Sequence, residues 1–121
     1  MRTYTPHMAR VEPWNEIEEF FIKFFEGNYN DSMALLVKHI ITTGLSSRLF
    51  AYTSMNRLII SIYDPIEWNR EALHIFFNTH TKKWNFAYYS KPFQTTNTFR
   101  RQYERTQGIE KFDAFIKMVG W

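Results

Sequence analysis

Residues 57–89, RLIISIYDPIEWNREALHIFFNTHTKKWNFAYY, decide the fold. Within them 57–63 alternates Leu58, Ile60 and Ile62 against Ile59, Ser61 and Tyr63. In 71–77, Leu73, Ile75 and Phe77 fall on one side, and in 83–89 Trp84, Phe86 and Tyr88 do. A repeat of two is the signature of extended chain, since successive side chains point to opposite faces of a sheet. Working outward, residues 48–53 (RLFAYT) add a preceding strand across the tight connection Ser54-Met55-Asn56. DPIEWNR (64–70) reads as a loop and NTHTK (78–82) as a turn. Such short connections predict antiparallel neighbours in sequential order.

On the N-terminal side the apolar repeat changes to three and four. Trp14, Ile17, Phe20, Phe21, Phe24 and Phe25 predict an amphipathic helix over about 13–26, with Pro13 in its first turn and Gly27 as its stop. Asn30 or Asp31 caps a second helix, whose stripe is Met33, Leu36, Val37, Ile40 and Ile41 and whose end is Gly44. Residues 1–12 read as irregular and loosely held. On the C-terminal side Pro92 breaks the strand pattern. TFRRQYERT (98–106) reads as a short basic helix capped by Thr96, Asn97 or Thr98. Gly108 resets the chain before a last helix carrying Ile109, Phe112, Phe115, Ile116 and Val119, and Trp121 is expected to pack back on the core.

The expectation is an α+β domain spanning 1–121: two N-terminal helices, a four-stranded antiparallel meander, and C-terminal helices packed on the sheet. The second sheet face would carry Phe50, Tyr52 or Tyr63, with Phe76 and Tyr89, which is apolar for a face in water. Either helices split across both faces or this face meets a partner, a homodimer through the sheet included.

Composition narrows the function. The chain has 121 residues, a formal charge of +3, 45% hydrophobic and 19% aromatic residues, four glycines and no cysteine. Disulfide frameworks, thiolate metal sites and cysteine nucleophiles are excluded. No transmembrane helix or signal peptide is expected, because charges interrupt every apolar run; the expected setting is the cytoplasm, with no membrane partner. Residues 1–31 are net acidic and 91–121 net basic, so the two ends could attract each other.

No catalytic or metal-binding motif is present. The four histidines, His7, His39, His74 and His80, form no HxxxH or HExxH pair. His39 and His74 read as structural residues with satisfied hydrogen bonds, and His80 as a solvated turn residue. Glu12, Glu16, Glu18 and Glu19 read as the solvated face of helix one. With no GxSxG, GxGxxG or P-loop pattern, no catalytic residue and no cofactor are assigned. A deep cavity holding His74 beside a carboxylate would revive an enzymatic or small-ligand reading.

The densest basic cluster is Arg100, Arg101, Tyr103 and Arg105, with Lys82 and Lys83 nearby in sequence. It fits an acidic protein partner, or a nucleic acid with Tyr103 stacking on a base. Trp68, in a polar loop, is a candidate interface anchor. TSMNRL, KWNFAYYS and the closing FRRQYERTQGIEKFDAFI make residues 50–121 similar to small bacterial immunity-type proteins of polymorphic toxin systems. That resemblance implies a non-enzymatic inhibitor that occludes a co-encoded toxin; a host enzyme would be the target of a phage-type equivalent.

Overall fold

The computed structural model describes residues 8–24, 32–67, 70–89 and 98–121. In chain order the elements are β1 (Met8–Ala9), α1 (Trp14–Phe24), α2 (Ser32–Thr42), β2 (Phe50–Ser54), β3 (Arg57–Ser61), β4 (Ile66–Glu67), β5 (Ala72–Asn78), β6 (Lys83–Tyr89), β7 (Thr98–Glu104) and α3 (Gly108–Val119). The α+β class stands. The sheet is an antiparallel meander of order β2-β3-β5-β6-β7, one strand more than the four expected.

The extra strand is the segment expected to be a basic helix. Phe99 and Tyr103 lie four residues apart, and a spacing of four puts two side chains on one face in a helix and in a strand alike. The free side of β6 decides between them. β7 pairs along all of β6, from Lys83 opposite Glu104 to Tyr89 opposite Thr98. Only Arg105–Gln107 keeps a helical turn, of the 3-10 type. Arg101 and Arg105 are therefore not neighbours on a helix surface.

Registers divide the sheet into two faces. Leu58, Ile60, Leu73, Ile75, Phe77, Trp84 and Phe86 point to one side and join Ile17 and Phe21 of α1, Leu36, Val37 and Ile40 of α2, and Phe112, Phe115 and Ile116 of α3 in a single core. All three described helices thus cover the same face. Where described, the helix stripes read from the periodicity are buried or half-buried, whereas Ile62 just beyond β3 is exposed; the Phe24 and Phe25 side chains, the Gly27 stop and the Asn30, Asp31, Thr96 and Asn97 caps lie outside the described residues.

The helix ends are explained locally. Gly120 sits at φ 74°, its N–H donates to the Lys117 carbonyl at 3.2 Å, and the Trp121 N–H donates to the Ile116 carbonyl at 3.1 Å. This pair of bonds closes α3 as a Schellman motif. It delivers the Trp121 ring to Phe115 and Tyr88, with centroids 5.9 Å from each, as expected of that residue. Gly108 has an ordinary helical φ of −58°. Its constraint is space, since a Cβ there would enter the Trp84 indole. That indole N–H donates to the Arg105 carbonyl at 3.0 Å and ties β6 to the start of α3.

Residues 8–12 are held, contrary to the irregular reading for that part of 1–12; residues 1–7 lie outside the described residues. Met8–Ala9 pair with Ile66–Glu67, inside the stretch expected to be a loop. The Glu12 N–H donates to the Ala51 carbonyl at 2.9 Å, and the Glu12 carboxylate accepts the Thr53 N–H at 2.7 Å and its hydroxyl at 2.9 Å. Glu12 is therefore a cap on the outer strand β2, where the sequence suggested a solvated helix residue. Among the described residues no helix is long and apolar enough to cross a membrane.

Candidate functional site

The second sheet face is the one the helices leave uncovered. It carries Arg57 and Ile59 from β3, His74 and Phe76 from β5, Asn85, Ala87 and Tyr89 from β6, and Arg100 and Gln102 from β7, all in register. Its β3 side is partly roofed: Ile59, Ser61 and Ala72 are buried there. The Ser61 hydroxyl donates to the Glu71 carbonyl at 2.8 Å, and the Tyr63 hydroxyl to the Glu71 carboxylate at 2.8 Å. Towards β7 the face opens into a cavity of about 280 Å³.

That cavity has one charge sign. Arg57 and Arg100 line it with His74, Phe76, Asn85, Tyr89 and Gln102, Arg101 borders it from the other face of β7, and among the described residues no carboxylate lines it. The guanidiniums are held by neighbouring rings. Arg57 lies 5.3 Å from the Phe76 centroid and Arg100 lies 5.8 Å from that of Tyr89, with an Arg100 N–H donating to the Tyr89 hydroxyl at 3.2 Å. Such contacts favour a cation over a ring face and limit the side chain's freedom. Gln102 donates to the Asn85 side-chain carbonyl at 3.0 Å, joining the two amides across β6 and β7. Among the described residues none of the three arginines has a carboxylate partner.

His74 forms part of this wall, its ring edge-on to Tyr89 at 4.8 Å. The sequence suggested a histidine with its hydrogen bonds satisfied. Its Nδ1 is instead buried, with no partner among the described residues. Burial holds the imidazole pKa at about 4, and the charges of Arg57 and Arg100 push it the same way. The ring is neutral at pH 7. His39 lies on the other side of the sheet, where its Nε2 meets Asp113 Oδ1 at 2.8 Å and joins α2 to α3. The two histidines do not meet.

The expected site residues scatter. Arg100 reaches the cavity from the open face, whereas Arg101, opposite Phe86 in register, is on the helix-covered face and only borders it. Arg101 also turns back on the Arg100 carbonyl at 2.7 Å, with its guanidinium 4.4 Å from the Phe99 centroid. Tyr103 belongs to the helix-covered side: its ring packs edge-on to Phe86 at 5.1 Å, with the Lys111 ammonium 5.6 Å from its centroid. It is not a free stacking ring. Arg105 lies in the turn after β7, where its carbonyl holds Trp84. Lys83 pairs with Glu104 at 3.7 Å. Lys82 occupies the turn before β6 at φ 57°. Trp68 lies outside the described residues.

Sequence reasoning missed Arg57, Asn85 and Gln102, and it placed His74 in a structural role. The alternation that sent Leu73, Ile75 and Phe77 inward also sends His74 and Phe76 outward, so that part of the site was available. Arg57 was hidden at a strand end, and Gln102 by the helical reading of its segment. Compared with family models, curated proteins and solved structures, the chain matches none.

Proposed function

We propose that this protein is a non-catalytic binding module that occludes another protein through the open face of its sheet. The observation that carries the reading is the cavity lined by Arg57 and Arg100, without a carboxylate among the described residues. Guanidiniums and aromatic rings are the groups that most often anchor protein interfaces. Here they stand on rigid strands, so little freedom remains to be lost on binding. A nucleic-acid track is less well served. It needs a stripe of free cations and exposed ring faces, whereas Lys83 is paired with Glu104, Tyr103 packs under the helices, and Phe76 and Tyr89 each carry a guanidinium.

The most concrete form of the reading is an immunity protein or antitoxin acting on a co-encoded toxin, or a phage-type inhibitor of a host enzyme. It rests on the resemblance of residues 50–121 described above. The test mixes the purified chain with purified products of neighbouring genes and follows gel filtration. The expected result is a shifted complex that Ala87→Arg, a bulky charge placed on the open face, abolishes. A complex that forms equally well with this variant, or no complex with any of those products, overturns the reading.

A further inference from the structure

The chemistry of the cavity points beyond a general docking surface to the group it receives. The Arg57 guanidinium has a ring beside it and no hydrogen-bond acceptor among the described residues. Arg100 spends one donor on the Tyr89 hydroxyl, which leaves most of its donors unused. A guanidinium is a planar fork that matches a carboxylate in two parallel bonds. The Asn85–Gln102 amide pair and the neutral His74 supply polar walls without negative charge. At about 280 Å³ the cavity suits one or two side chains and is far smaller than a strand-long track. The two open-face rings at the cavity, Phe76 and Tyr89, already have a cation beside them, so a nucleobase entering it would have to displace a guanidinium to stack. A carboxylate side chain needs no displacement and adds to what is present.

We infer that this cavity seats a carboxylate carried on an acidic segment of the protein partner, held by the guanidiniums of Arg57 and Arg100. The inference rests on the docking reading above and names the group recognised. Arg57 approaches from β3 and Arg100 from β7, so a carboxylate entering the cavity meets cations from both sides of the β5–β6 hairpin. This makes the seat selective for charge and indifferent to the partner's wider fold, provided an aspartate or glutamate projects far enough.

The test is an amide-resolved NMR titration of the full chain with octaglutamate, run beside oligothymidylate and inorganic phosphate. Octaglutamate is expected to shift the amides of His74, Phe76, Asn85, Ala87 and Arg100 in a saturable way. Arg57→Gln and Arg100→Gln should each weaken that binding by about tenfold, equivalent to about 1.4 kcal/mol. Arg48→Gln, at a separate cavity with Asp113 and Lys117, should leave it unchanged. The spectra of the variants also report that each is folded. Shifts confined to the helix side, equal affinity in both arginine variants, or the same amides responding to oligothymidylate or phosphate at lower concentration would overturn the inference. So would concentration-dependent broadening of these amides without any ligand, which would assign the face to a second copy of the chain. Should octaglutamate leave the cavity untouched while Ala87→Arg still abolishes a cognate complex, the carboxylate seat fails and the docking surface stands. Should the cognate complex also ignore Ala87→Arg, both fail.

Discussion

His74 shows how one side chain links the open face to stability. Unfolded, its imidazole titrates near 6.5; folded, burial and the nearby arginines hold it at about 4. Between those values the unfolded chain carries a proton that the folded chain lacks, so stability falls as pH drops from 6.5 towards 4. Above 6.5 both states are neutral at this site and it contributes no pH dependence. The loss should be on the order of 2–3 kcal/mol at the acid end. Denaturant melts of wild type and His74→Gln across this window should show a shallower decline for the variant; parallel slopes would remove His74 as the cause. Residue-level legibility was uneven. Period-two alternation turned His74 outward, yet the expectation for an isolated histidine made it a satisfied structural residue. A buried Nδ1 without a partner is a property of the neighbours that β3, β6 and β7 bring, and sequence spacing holds no record of it.

The β6–α3 junction shows the same division at the scale of elements. Gly108 was read as a break in the chain, and it is instead the first residue of a regular helix. Its missing side chain makes room for Trp84, which is wedged edge-on to Phe77 at 5.2 Å and Phe86 at 6.2 Å and bonded to Arg105. The indole is buried between its neighbours. Gly108→Ala should therefore destabilise the fold by about 1–3 kcal/mol, the usual cost of overpacking. A chemical-denaturation midpoint reads this directly, and an unchanged midpoint would show that the indole can move. Most elements were legible because their apolar repeats had one interpretation. Trp14, Ile17 and Phe21 fit only a helix face, and Leu73, Ile75 and Phe77 only a strand face. β7 was not legible, because Phe99 and Tyr103 satisfy both repeats and the unpaired side of β6, a tertiary fact, settles the matter.

For the whole molecule, placing every described helix on one side of the sheet separates two tasks. One face carries the core, which reaches from Ile17 to Ile116. The other is partly roofed near Ser61 and open near Arg100. The open-face residues can therefore change with little cost to folding, and Arg57→Gln and Arg100→Gln should stay within about 0.5 kcal/mol of the parent, as surface substitutions away from the core do. Thermal melts of the two variants check this, and a large loss in either would mean that the guanidinium–ring contacts support the fold. The overall class was legible because helical and extended stretches are segregated along the chain. The uncovered face was legible only as a surplus of aromatic residues, since sequence order does not say on which side a helix lands.

The Glu12 clamp on β2 and the folded-back Arg101 on β7 together blunt both lateral borders of the meander. A neighbouring molecule finds neither border offering a clean row of backbone groups to copy, which is how fibrils begin to grow. Glu12→Ala should reopen one seam by freeing the Thr53 amide. Dye-monitored incubation of the concentrated variant should then reveal fibre growth that the parent lacks, and an equally clear solution would show that the main-chain bond to Ala51 is guard enough.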